Sequence, residues 1–138
     1  MKYILFFLAG IVCSITAQAQ QQQEVVVDHL ETFLQAIAPH THIILAPGIY
    51  DLLDGRDITT PYISWGTEDS ENNLIIHDVS NLTITGRADV KILMDDPFSW
   101  VFRFEQTDRL RLENLTFGHR TENECYGGVL YFHDLEDV

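Results

Sequence analysis

The chain contains 138 residues, enough for one domain of ordinary size, and its hydrophobic content of 46% excludes an intrinsically disordered protein. The net charge of −13 excludes functions that depend on clustered Lys and Arg, because nucleic acids and anionic lipid surfaces both repel an acidic protein. Composition therefore predicts an acidic single-domain protein with no nucleic-acid partner.

The chain begins with the features of a secretory signal. Lys2 provides a short cationic start, an apolar run covers residues 4–15, and an A-x-A sequence at 17–19 provides the small residues that signal peptidase accepts. The apolar run is too short for a membrane span, which needs about 20 residues. We therefore predict a signal peptide at residues 1–19, a secreted or periplasmic location, and no membrane attachment after cleavage.

Removal of this leader would also remove Cys13 and leave Cys125 as the single cysteine. A single cysteine cannot form an internal disulfide. We interpret Cys125 as a small buried apolar residue rather than as a reactive thiol.

Between the leader and the first strands, the sequence predicts a polar spacer and one short helix. The spacer covers residues 20–27 and begins with glutamines. Asp28 can cap a helix, and Pro39 ends the helical pattern. The apolar stripe between them consists of Leu30, Phe33, Leu34 and Ile37. We predict an amphipathic helix at 28–38 that covers an open strand edge.

The rest of the chain alternates short β-branched strands with turn residues and carries a repeat of 28 residues. This shift aligns apolar positions in four columns: Leu74, Phe102 and Leu130; Ile76, Phe104 and Phe132; Leu82, Leu110 and Val138; Ile84 and Leu112. Gly86 aligns with Asn114, and both residue types tolerate a left-handed turn. A third strand follows at a shift of 25 and contains Val90 and Ile92, then Leu115 and Phe117.

A unit of three short strands cannot bury its apolar face alone, whereas stacked units share one core. Successive units would lie about 4.8 Å apart as parallel strands, with residues 74 and 76 inward and 75 and 77 outward. Because crossovers between parallel strands are right-handed, we predict an all-β solenoid at 28–138, a right-handed parallel β-helix with an N-terminal capping helix. The pattern stops in the middle of a unit, which predicts a chain truncated at its C-terminus.

Several segments of the chain carry a family resemblance. Residues 41–52 look like the opening coil of pectate-lyase-like right-handed parallel β-helix proteins. Residues 81–86 and 114–118 resemble the recurring strand-turn sequences of the same superfamily. More narrowly, His119, Cys125 and residues 127–130 are similar to exported bacterial β-helix proteins of undefined activity. The resemblance implies the fold over nearly all of the chain after the spacer. It identifies no activity, because this fold carries many functions.

Members of this superfamily are often polysaccharide lyases, hydrolases or esterases, and their catalytic groups are calcium-binding carboxylates with an Arg base, or three aspartates. No such set carries over to this sequence, so the catalytic residues stay unknown. Asp95 and Asp96 are adjacent, but Pro97 after them indicates a turn. Three arginines on one unit are interpreted as outward residues that balance an acidic surface: Arg103, Arg109 and Arg111.

The 28-residue register places His77, Glu105 and His133 in one outward column. Two imidazoles that flank a carboxylate suit zinc or another divalent cation, and the resemblance adds calcium. A solvated polar column is the alternative, because neighbouring positions on a flat sheet do not converge as a tetrahedral site requires. The column is therefore a candidate site for a divalent cation.

His119 and three aromatic residues complete the candidates. A histidine at a strand end can act as an acid or base, or it can hydrogen-bond its loop back onto the strand. Trp65 and Tyr62 lie in the long connection 53–73, as loop anchors or as a platform for sugar rings. Trp100 is interpreted as packing at the edge of the core.

Together these features predict an exported protein that binds or processes extracellular polysaccharide. The alternatives are a non-catalytic surface scaffold or adhesin, and an inactive fragment of a longer β-helix protein.

Overall fold

The computed structural model describes residues 21–66, 72–120 and 124–134, so the predicted signal peptide and the column position of Val138 lie outside the described residues. The elements in chain order are β1 (Gln23–Val27), α1 (Leu30–Ala36), β2 (Thr41–Leu45), β3 (Gly48–Asp51), a 3-10 helix (Leu52–Gly55), β4 (Ile63–Trp65), β5 (Leu74–His77), β6 (Ser80–Gly86), β7 (Val90–Met94), β8 (Phe102–Glu105), β9 (Asp108–Glu113), β10 (Thr116–His119) and β11 (Leu130–His133). No helix within these ranges has the length and apolar character of a membrane span.

The strands form three sheets. Sheet I has the order β1-β2-β6-β9, sheet II the order β3-β7-β10, and sheet III the order β4-β5-β8-β11. All of these pairings are parallel except that of β4 with β5. From β5 onwards the chain visits sheets III, I and II in turn and then returns to sheet III. The prediction of an all-β protein with parallel sheets is confirmed.

The strand register confirms the repeat. Sheet III places Leu130 beside Phe102, and sheet I places Leu82 beside Leu110, both at a shift of 28. In sheet II, β7 and β10 pair at the predicted shift of 25, because the connection between sheets I and II is three residues longer in the first unit.

The inward side chains stack in columns that form the core. The middle members of the columns are completely buried and include Ile43, Ile76, Ile84, Ile92, Phe102 and Phe104. Burying one such side chain contributes roughly 1.5–3 kcal/mol. Inward and outward positions of the middle strands alternate as predicted, except that Ile75 and Thr83 are buried although they lie on the outer faces.

Helix α1 covers Leu30–Ala36 rather than 28–38, and its N-cap is His29 rather than Asp28, without a side-chain cap hydrogen bond. Packing of its apolar stripe stabilises the helix, because a helix of this length is not stable alone. The two side chains that anchor it in the core are Phe33 and Leu34.

Part of the predicted polar spacer belongs to the fold. Residues 23–27 form β1, which pairs in parallel with β2 and buries Val27. Three consecutive valines in this segment favour a strand. Helix α1 is therefore a crossover between two neighbouring strands of sheet I rather than a cap that precedes the first strand.

Left-handed backbone conformations recur in register at the ends of the strands. Non-glycine residues with positive φ in the described ranges form three columns: Asp78, Gln106 and Asp134; His40, Asn81 and Arg109; Asp89 and Asn114. Most of them are Asp or Asn, the residues that tolerate this region best after glycine. Gly86, which a uniform shift aligns with Asn114, has no positive φ. Asp89 takes that role because the first unit has the longer connection.

Glycine is required at position 86 because the backbone of the next unit approaches it closely, not because its φ is positive. A Cβ atom at this position would collide with the carbonyl oxygen of Asn114 in the next unit. We predict that Gly86→Ala lowers the free energy of unfolding by about 2 kcal/mol, because backbone cannot move aside as a flexible side chain can. Gly118→Ala is the matched control, since its nearest contact would be 3.7 Å away. Equal urea midpoints for the two variants would contradict this explanation.

Candidate functional site

The outward side chains of sheet III form two neighbouring columns, which we call the outer face of sheet III. The first column consists of Ser64, Ile75, Arg103 and Tyr131. The second consists of His77, Glu105 and His133, in the register that the sequence predicted.

Four aromatic side chains lie where the chain enters sheet III, and we call them the aromatic corner: Phe98, Trp100, Tyr126 and Tyr131. Phe98 and Tyr126 stack with their ring centroids 5.5 Å apart and an angle of 8° between planes. They are 61% and 70% exposed. Trp100 contacts Tyr131 with the centroids 5.2 Å apart. Two large rings that stack on each other in contact with water form an exposed apolar patch rather than part of the core.

Backbone hydrogen bonds join the two loops that carry these rings. The N–H groups of Tyr126 and Gly127 both donate to the carbonyl of Pro97, at 2.8 and 2.7 Å. Glycine is needed here because a Cβ on Gly127 would meet the carbonyl of Ser99. A Cβ on Gly128 would meet the Trp100 ring, so both glycines let this loop dock closely. Cys125 in the same loop is exposed, so the expectation that it is buried was wrong.

Polar side chains fasten the corner from the preceding unit. Asp96 accepts hydrogen bonds from the backbone N–H of Phe98 at 2.8 Å and from Asn72 Nδ2 at 2.6 Å. Asn73 is completely buried, and its Oδ1 accepts a hydrogen bond from the N–H of Trp100 at 2.7 Å. Asp96 thus has the turn role that the sequence predicted. Asn73 was missed, because a single Asn before a strand carries no pattern that distinguishes it.

His119 ties the end of β10 to the same corner. Its Nε2 lies 2.8 Å from the carbonyl oxygen of Ser99. A ring nitrogen that bonds to a carbonyl must carry the proton. This geometry favours the structural alternative for His119 over an acid or base.

Trp65 also has a structural role. Its Nε1 donates to the carbonyl of Ile58 at 2.9 Å, and both Trp65 and Tyr62 pack against the core. Of the two interpretations of this pair, the structure favours the loop anchor. Trp100, expected at the core edge, lies against Tyr131 on the outer face instead.

The column of His77, Glu105 and His133 forms, but its side chains do not converge. Each member pairs with a neighbour outside the column: His77 Nδ1 lies 2.8 Å from Asp78 Oδ2, His133 Nδ1 lies 3.2 Å from Asp134 Oδ2, and Glu105 Oε1 accepts from Arg103 Nη2 at 3.1 Å. The described residues contain no group of three or more His, Cys, Asp or Glu side chains arranged to hold a metal ion. The geometry favours the solvated column.

Arg103 differs from the solvated arginine that the sequence predicted. Its side chain is only 14% exposed, and its guanidinium carbon lies 4.4 Å from the centroid of the Tyr131 ring. A cation above an aromatic face is attracted by the negative charge of that face. Arg103 therefore connects the aromatic corner to Glu105. Arg109 and Arg111 are exposed, as predicted.

One ion pair joins the C-terminal end of β3 to the residue after β10. Asp51 Oδ2 lies 3.3 Å from Arg120 Nη1, and the Asp51 side chain is 12% exposed. Burial has the largest influence and raises the pKa of Asp51 above its usual value. Arg120 opposes this change, whereas the carboxylates of Asp54 and Asp95 add to it.

Comparisons with models of protein families, with curated proteins and with solved structures found no match. The function therefore has to be inferred from the residues of this chain.

Because the pKa of Asp51 is raised, the folded chain binds this proton more tightly than the unfolded chain, and ionisation of Asp51 lowers stability as the pH rises. We predict that Asp51→Asn, which keeps the shape and removes the charge, raises the melting temperature at neutral pH. The gain in melting temperature disappears below the ordinary pKa of 3.8, where Asp51 is protonated in both the folded and the unfolded chain. Melting curves over this pH range test the prediction. A lower melting temperature at neutral pH would show that the pair with Arg120 outweighs burial.

We predict that zinc at about 100 µM leaves the melting temperature unchanged, because a ligand stabilises a fold only if the fold presents a site for it. Differential scanning fluorimetry with and without a chelator measures this. A zinc-dependent rise that His77→Ala and His133→Ala both abolish would restore the interpretation of the column as a zinc site.

Proposed function

We propose that this chain is an exported right-handed parallel β-helix that binds extracellular polysaccharide through the aromatic corner and the outer face of sheet III. The repeated order of the three sheets and the 28-residue register support the fold. The preference of parallel crossovers for one hand supports the handedness. The leader at residues 1–19 supports export.

The exposed Phe98–Tyr126 stack is the observation that carries the proposal of binding. The faces of sugar rings present C–H groups, and an aromatic face offers them apolar contact without a polar group that must be desolvated. The Tyr126 hydroxyl donates to Glu124 Oε2 at 2.7 Å, and this hydrogen bond, with a lesser contribution from burial, raises the pKa of Tyr126. The hydroxyl adds a polar tip to the platform.

The outer face of sheet III continues from the aromatic corner with polar groups. Outward positions along a strand recur about every 7 Å, so Tyr131 and His133 stand one such step apart. Imidazole and carboxylate groups can donate to and accept from sugar hydroxyls. An aromatic surface followed by hydrogen-bonding groups is the combination that positions a polar ligand with apolar faces.

The net charge of the chain indicates which class of polysaccharide it can bind. The chain carries a net charge of −13, and a polyuronate would be repelled unless a divalent cation bridged the two. We therefore propose a neutral polysaccharide as the ligand.

A second candidate function is that of a non-catalytic scaffold or adhesin, and the outer face of sheet I favours it. Two threonines of β6 form side-chain hydrogen bonds there, Thr83 Oγ1 with Nε2 of Gln22, which precedes β1, at 2.9 Å, and Thr85 Oγ1 with Nε2 of His42 on the neighbouring strand β2 at 3.0 Å. Polar ladders of this kind stabilise a surface without offering an open site.

We predict that replacing both rings, in Phe98→Ala/Tyr126→Ala, weakens polysaccharide binding about tenfold, since each aromatic contact contributes roughly 0.5–1.5 kcal/mol. Affinity electrophoresis through gels that contain neutral polysaccharides measures this, with polyuronate gels run with and without calcium. Ile49→Ala is the matched control, because Ile49 is an equally exposed apolar residue on sheet II.

Retardation by a neutral polymer that the double variant loses and Ile49→Ala keeps would support the proposal. No retardation on any gel, or equal retardation of all three proteins, would contradict it and leave the scaffold as the better interpretation.

A further inference from the structure

The loops of the aromatic corner carry negative charge beside their exposed rings. Residues 95–100 contain two aspartates, residues 124–128 contain one glutamate, and neither range contains a Lys, Arg or His. Glu124 is exposed, and its Oε2 accepts a hydrogen bond from the Tyr126 hydroxyl at 2.7 Å. The exposed stack of Phe98 on Tyr126 therefore lies next to a carboxylate.

Phe98 shows that this stack stays exposed where a neighbouring unit packs on it. The loop of the next unit docks on the Phe98 loop through its backbone hydrogen bonds to Pro97, and the Tyr126 ring stacks on the Phe98 ring. Phe98 is nevertheless 61% exposed. A ligand can therefore reach these rings although successive units pack on each other.

The same corner already holds one cation on an aromatic ring. The guanidinium carbon of Arg103 lies 4.4 Å from the centroid of Tyr131, and Arg103 Nη2 donates to Glu105 Oε1 at 3.1 Å. A ring face attracts a cation through its negative charge, and a carboxylate beside the ring adds a charge-assisted hydrogen bond. A ring and a carboxylate together thus bind a cationic group within this protein.

The Phe98–Tyr126 stack offers the same combination to a ligand, with Glu124 as its carboxylate. A carboxylate has about four lone-pair sites, so Glu124 can accept from an ammonium group while it accepts from Tyr126. The net charge of −13 attracts cations to the molecule. An amino sugar suits this surface, because it presents C–H groups to the rings and an ammonium group to the carboxylate.

We propose that the polysaccharide bound at the aromatic corner contains amino sugars, whose protonated amino groups bind at Glu124 while their C–H faces pack on the Phe98–Tyr126 stack. This inference rests on the proposed function and names the class of sugar that the site prefers. A polymer of this class is neutral where its amino groups are acylated and cationic where they are free, so the acidic chain does not repel it.

Isothermal titration calorimetry of the chain, purified as the expression host processes it, tests this preference. The probes are oligomers of glucosamine and of glucose with the same length and linkage, which differ only in the amino group. The pH is mildly acidic, so that the amines are protonated, and salt at about 0.15 M screens long-range attraction. The wild type should bind the glucosamine oligomer at least about threefold more tightly, since exposed cation–π contacts and ion pairs are each weak.

Two variants of the corner and one matched control locate the preference. Glu124→Gln removes the charge, and Tyr126→Phe keeps the ring but removes the hydroxyl that bonds to Glu124, so both should lose most of the preference. Glu31→Gln is the control, because Glu31 is an exposed glutamate on helix α1 and its replacement changes the net charge equally. Circular dichroism melts check that the variants stay folded.

A preference for glucosamine that Glu31→Gln keeps and both corner variants lose would support the proposal. Equal affinities of the wild type for the two oligomers would overturn it and leave the proposed function standing. An equal loss in Glu31→Gln and Glu124→Gln would also overturn it, because the overall charge would then explain the preference. Binding of neither oligomer would overturn it too, and the polysaccharide gels then decide separately on the proposed function.

Discussion

Parallel pairing in register between successive units places like side chains on like side chains, and the other features of this protein depend on it. Phe104 rests on Phe132, and Leu82 lies beside Leu110, because β8 pairs with β11, and β6 with β9, at the same shift of 28 residues. A short unit alone could not remove its apolar face from water. The stacking joins the units into one core, and helix α1 joins that core through its apolar stripe although it has no side-chain cap.

Because of the same register, the backbone conformation at the strand ends recurs from one unit to the next. Residues in the left-handed region stand in columns, and Asp78 and Asp134 bring their carboxylates beside His77 and His133. Where the connections grow longer, they still dock on each other, as the loops around Pro97 and Tyr126 do. A rigid stack of strands therefore holds irregular loops in fixed positions, and this is where the exposed aromatic rings lie.

Charge and apolar surface are distributed unevenly over the molecule. Acidic residues outnumber basic ones in the chain, whereas strands β9, β10 and β11 carry no net charge of Asp, Glu, Lys and Arg. An acidic protein of this kind repels acidic polymers.

The sequence by itself determined the period of the repeat, the inward columns and the all-β character, because apolar side chains that must be buried leave a periodic record in the chain. It also placed His77, Glu105 and His133 in one column. Only the tertiary structure decided how those side chains are oriented, because their pairing with Asp78, Asp134 and Arg103 depends on side-chain rotamers and on the backbone geometry at the strand ends. It likewise revealed β1 within the predicted spacer and the stack of Phe98 on Tyr126. Contacts between loops far apart in sequence follow from the fold and leave no periodic pattern.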